Sequence, residues 1–83
     1  MTEKPIHPAR VAEELRKMSA ARKSGGLDAD EYEHRFSRMI TELRERRIEG
    51  NRAEIVAALN PLREEGVLNQ EDWRRLTIQL GLA

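Results

Sequence analysis

The segment Gly25-Gly26-Leu27-Asp28-Ala29-Asp30-Glu31-Tyr32 recurs loosely as Gly66-Val67-Leu68-Asn69-Gln70-Glu71-Asp72-Trp73. Each copy places a glycine, a leucine, a short capping side chain, an acid and a large aromatic at the same spacing. Asp28 and Asn69 suit a helix N-cap, because a short side-chain oxygen accepts from the free amides of the first turn. Glu31 and Asp72 then fall at N3, where an acid can reach back to the cap, and Leu27 with Tyr32 and Leu68 with Trp73 sit at hydrophobic-staple positions. Gly25 and Gly66 stand where a preceding helix would end in a left-handed residue. Each copy is therefore a helix stop followed at once by a helix start, which is the joint of an αα-hairpin. A chain carrying two such joints is committed to helices.

The apolar residues agree. Pro8 can open a first helix at N1, and Val11, Leu15 and Met18 recur at helical spacing to about Lys23. A second helix from Ala29 to about Arg47 carries the strongest stripe, Tyr32, Phe36, Met39, Ile40 and Leu43. A third begins after Asn51, with Glu54 at N3 and Ile55, Val56, Leu59 and Leu62 on its apolar face. Pro61 interrupts it: either the helix kinks there or Asn60 recaps a new turn. A fourth follows Asn69, carries Trp73, Leu76 and Leu80, and ends at Gly81. The expected fold is all-α, four short helices as two consecutive αα-hairpins (8–48 and 51–81) in one small bundle over 8–83, preceded by a flexible N-terminal arm at 1–7. A shift of 41 residues lays apolar positions on apolar positions through both hairpins, with Phe36 falling on Thr77 and Pro61 on Ala20 as departures. That agreement of caps and stripes suggests an internal duplication.

At 83 residues the chain forms one small domain with a modest core. Fifteen basic residues balance fifteen acidic ones, so bulk charge gives no pull toward nucleic acid or anionic lipid. The absence of cysteine excludes a disulfide scaffold and thiolate metal sites. No apolar run approaches the roughly 20 residues of a membrane span, and no secretory h-region opens the chain, so a cytoplasmic location is expected.

No constellation for catalysis stands out. His7 and His34 lack the companion ligands that a metal site needs, the carboxylates read as i, i+4 partners of lysine and arginine, such as Glu42 with Arg46 and Glu31 with Arg35, and Ser24-Gly25-Gly26 is a helix stop rather than a phosphate loop. No enzyme activity, cofactor or metal is expected. Tyr32, Phe36 and Trp73 are the only aromatics, and all lie on apolar stripes, as anchors of a core or of an interface. Leu43 and Ile48 extend the second stripe beyond what its shorter neighbours can cover, flanked by Arg44, Arg46 and Arg47. These eight residues form the candidate partner-binding set: Tyr32, Phe36, Leu43, Arg44, Arg46, Arg47, Ile48 and Trp73. They point to a protein–protein interaction module, with a second copy about a twofold axis as one way to cover the stripe. The alternative is a small nucleic-acid-binding regulator: residues 1–26 carry six basic against three acidic residues, and a basic first helix with Arg44, Arg46 and Arg47 could follow phosphates. The acidic first turn of the second helix argues against a helix-turn-helix reader.

The joints and their flanks, Leu15-Arg16-Lys17-Met18, Gly26-Leu27-Asp28-Ala29-Asp30-Glu31-Tyr32 with Arg35-Phe36, and Leu62-Arg63-Glu64-Glu65-Gly66 through Trp73, resemble the SHOCT (short C-terminal) domain family, helical hairpins usually appended to a larger protein. The resemblance covers about thirty residues at each joint and implies two tandem hairpins with oligomerisation or adaptor work rather than catalysis.

Overall fold

The computed structural model describes residues 4–82, and among them the regular elements are four helices: α1 (Pro8–Lys23), α2 (Ala29–Arg46), α3 (Arg52–Glu64) and α4 (Gln70–Gln79). Their starts follow from local chemistry. The Asp28 carboxylate accepts from the Glu31 amide at 2.8 Å while Glu31 accepts from the Asp28 amide at 3.3 Å, a closed capping box. Asn51 and Glu54 repeat it on α3 at 2.8 and 3.0 Å. Asn69 accepts from the Asp72 amide at 2.8 Å, but the Asp72 carboxylate turns instead to the Tyr32 hydroxyl, which donates to it at 3.5 Å.

The two joints are superposable in their bonding. The amides of Gly26 and Leu27 both reach the Ala21 carbonyl, at 2.8 and 3.1 Å, and 41 residues later those of Val67 and Leu68 both reach the Leu62 carbonyl, at 2.9 and 3.1 Å. Gly25 and Gly66, with φ of +87° and +78°, supply the left-handed turn that makes this possible. The correspondence extends to side chains: the Arg22 guanidinium stands 4.8 Å from the Tyr32 ring centroid, and Arg63 stands 4.9 Å from that of Trp73. Each joint thus closes with a cation from the outgoing helix over the aromatic of the incoming one.

The hairpins follow one another in sequence but interlock in space. The most extensive helix packing is α1 on α3, and α2 lies along α4. Along the α2–α4 seam, Tyr32 meets Asp72, Glu33 pairs with Arg75, and Arg44 donates to Gln79 at 3.5 Å, so the two helices run side by side in the same direction. Arg16 of α1 holds Glu65, just past α3, with two nitrogens at 3.1 and 2.8 Å. Every helix sends a side chain to the fully buried centre: Leu15, Phe36, Leu59, Leu62 and Leu76. Thr77, standing where the first hairpin has Phe36, is buried with its hydroxyl donating to the Trp73 carbonyl at 2.9 Å, and Arg75 lies over the Phe36 ring at 4.5 Å.

Pro61 neither splits α3 nor is recapped. The helix runs unbroken from Arg52 to Glu64, and the Asn60 side-chain amide donates to Glu64 at 3.3 Å rather than capping a new turn. Pro61 lies in the last turn, so the hydrogen bond it removes is one of the helix's final ones, and its own carbonyl still accepts from the Glu65 amide at 2.9 Å.

The expected flexible arm at 1–7 needs correction over its second half; residues 1–3 lie outside the described residues. Ile6 forms a parallel bridge with Ile48: its amide donates to the Arg47 carbonyl at 2.9 Å and its carbonyl accepts from the Glu49 amide at 2.8 Å. Its side chain is only 9% exposed and joins the core. His7 caps α1, with Nδ1 accepting from the Ala9 amide at 3.1 Å. The pairing has a physical motive. The far end of the α2 stripe is too long for the other helices to cover, and Ile6 lies on it.

Candidate functional site

Of the eight residues singled out from sequence, three are interior. Phe36 is fully buried, and Tyr32 and Leu43 are nearly so; they hold the fold. Burial raises the Tyr32 hydroxyl above its ordinary pKa, with the Asp72 carboxylate adding to the effect. Trp73 is half-buried against the core beneath Arg63. Arg46 donates to Glu42 at 3.3 Å and to the Lys4 carbonyl at 3.1 Å, which makes it a clasp on the N-terminal segment. Ile6 pairs with the stripe end that suggested a second copy, and Ile48 stays half-buried there.

Leu43, Arg44, Arg47 and Ile48 do meet, in a shallow depression where α2 ends. Here the ends of α2 and α4 come together over Ile55, and beside Leu80 the surface adds two residues that the apolar stripes did not mark, Ile78 and Leu82. Ile78 is 58% exposed, the one large apolar side chain so exposed among the described residues. Ile48, Leu80 and Leu82 are half-buried around it. Arg44 and Arg47 are the charged residues lining the depression, and among the described residues no acidic one does.

The position of Arg47 is itself unusual. It follows the last residue of α2 with φ +69° and ψ 157°, the only non-glycine with positive φ among the described residues. That region of backbone space is comfortable for glycine and costs other residues of order 1–3 kcal/mol. Its amide closes α2 on the Leu43 carbonyl at 2.8 Å, and its carbonyl receives Ile6.

A larger groove of about 750 Å³ runs between α1 and α2. Its floor residues Val11, Met18 and Leu43 are already buried, so little apolar area remains to be gained there. Of its charged residues, Glu42 pairs with Arg46 and Glu14 with Lys17. Among the described residues no group of three or more histidines, cysteines or acids could hold a metal ion, and no helix is long and apolar enough to cross a membrane. Three of the five basic residues of α1 are engaged within the fold: Arg16 pairs with Glu65, Lys17 with Glu13, and Arg22 lies on Tyr32. The Arg16 bridge pulls the Glu65 carboxyl below its ordinary pKa.

Comparison with protein families, with curated proteins and with solved structures returned no match for the chain.

Proposed function

We propose that the chain is a non-enzymatic protein–protein interaction module that docks a partner on the Ile78 face. The observation that carries this reading is an exposed isoleucine beside half-buried Ile48, Leu80 and Leu82, the one large apolar side chain so exposed among the described residues. A small domain gains stability from burial at about 25 cal/mol per Å², and an apolar cluster left in water against that gradient suits a binding face. The joints read as SHOCT-like hairpins are consistent with adaptor work of this kind. Engagement of Arg16, Lys17 and Arg22 with groups of the fold favours a protein over nucleic acid as the partner.

A heterologous partner is favoured over a twofold copy. In a symmetric dimer through this face, Arg44 and Arg47 of one chain would oppose those of the other, and like charges brought together at an interface cost affinity. The test is affinity capture from the source lysate with the wild-type chain and with Ile78→Asp, alongside light scattering over a concentration series. The reading expects a retained protein that the variant loses, and a monomer mass at tens of micromolar. Equal retention by both chains would move docking elsewhere.

A further inference from the structure

Resting on the docking reading just given, we infer that the occupant of the Ile78 face is a short acidic, apolar segment of a different protein, its aliphatic side chains on Ile48, Ile78 and Leu80 and its carboxylates on Arg44 and Arg47. Charge carries the choice. Among the described residues the depression is lined by two arginines and no acidic residue, on a chain whose overall charge is zero. Arg47 has no ion pair among the described residues, and Arg44 has only the long contact to the neutral Gln79 at 3.5 Å.

Arginines near a helix end commonly serve its exposed carbonyls, but here backbone amides already take several of them. Arg47 closes Leu43, Leu80 closes Leu76, Gly81 closes Ile78 and Leu82 closes Thr77, at 2.8, 3.0, 3.2 and 2.7 Å. Among the described residues neither guanidinium bonds a helix-end carbonyl, and the planar fork of arginine matches a carboxylate with two parallel hydrogen bonds. The backbone of Arg47 strengthens the case. A glycine would occupy φ +69° without strain, so an arginine there is unfavourable for the fold and accounted for by what its side chain does outside it. Strain of this kind gathers at ligand-binding positions.

The experiment selects a random peptide library on the immobilised full chain, on Arg44→Glu/Arg47→Glu and on Ile78→Asp, and measures the selected peptides by fluorescence anisotropy. The expected result is enrichment of Asp or Glu beside Leu, Ile or Phe on the wild type. Binding of those peptides should weaken about tenfold or more with the double reversal, which should itself select lysine and arginine, and binding should vanish with Ile78→Asp. Arg47→Gly should weaken the peptides several-fold while the melting temperature stays level or rises, a separation that a merely structural arginine would not give. Apolar peptides without charge preference, lost only with Ile78→Asp, would overturn the acidic occupant and leave the docking face standing. Enrichment indifferent to Ile78→Asp would overturn both. Retention on anionic phosphatidylserine vesicles or random duplex DNA with no peptide selected would replace the protein occupant by a lipid or a nucleic acid, and a concentration-dependent dimer lost in Ile78→Asp would replace it by a second copy.

Discussion

Replacing Ile6 by alanine isolates the contribution of the N-terminal segment, because the bridge to Ile48 is made by backbone groups that the substitution leaves in place. Ile6 is 9% exposed and belongs to the core. Truncation of a buried isoleucine to alanine costs about 2–5 kcal/mol, the spread depending on how far the site can collapse. Ile6 lies at the rim, where solvent and the half-buried Ile48 can move into the space, so the lower end applies, about 2 kcal/mol. A domain of 83 residues has a total stability of about 4–12 kcal/mol, and about 2 kcal/mol lowers the melting temperature by about 8–16 °C. Thermal unfolding followed by circular dichroism reads this directly. Hydrogen exchange at the Glu49 amide supplies the second readout, since that amide donates to the Ile6 carbonyl at 2.8 Å. A melting temperature unchanged by Ile6→Ala, with a Glu49 amide that exchanges as fast as a free one, would refute the docked segment and reopen the question of what covers the α2 stripe.

Phe36→Ala should cost about 3–5 kcal/mol in a denaturant titration, close to the whole stability of the domain, because the ring is fully buried and its loss strips the support beneath Arg75; an unchanged midpoint would show that the ring is not the core's centre. Gly25→Ala and Gly66→Ala should each cost about 1–2 kcal/mol. No heavy atom lies within 4 Å of a Cβ at either position, so the penalty is purely conformational; markedly unequal costs would break the equivalence of the joints. The Tyr32 hydroxyl titrates above its ordinary value because burial disfavours the phenolate. The unfolded chain therefore loses that proton first, so the associated stability is present below pH about 10 and is lost as pH rises through the folded value. Tyr32 is the only tyrosine, so tyrosinate absorbance should appear later than in the unfolded chain and the alkaline stability loss should shrink in Tyr32→Phe; a coincident titration of folded and unfolded chains would contradict the burial.

Much of the fold is legible in the sequence because its signals are local. A cap at Asp28, its acid three residues on and a glycine before it act within one turn, so the sequence marks all four helix starts without knowledge of the tertiary structure. What is not legible is long-range. The periodicity of α2 shows a stripe too long for its neighbours but not that Ile6, forty-two residues upstream of Ile48, covers it. Nor does it show that α1 lies on α3 and α2 on α4, since stripes state which face is buried and not against what. The pairing of Arg22 with Tyr32 and Arg63 with Trp73 repeats at the same spacing and is hidden only because arginines near helix ends are common. Of the site, Arg44, Arg47 and Ile48 are visible as residues beyond the stripe's covered length. Ile78 escapes a stripe count because it lies off the face of Trp73, Leu76 and Leu80; the readable signal is an isoleucine on the polar side of a short helix.

The docking face is tested most directly by placing a photoactivatable aromatic amino acid at position 78 of the full chain, with exposed Ser37 on α2 as the control position, and irradiating in source cells. The account predicts a cross-link from position 78 to an acidic stretch of a different protein, absent from position 37 and lost when Arg44 and Arg47 are both changed to glutamate. Equal labelling from the two positions, or a cross-link from position 78 only to another copy of the same chain, would contradict it.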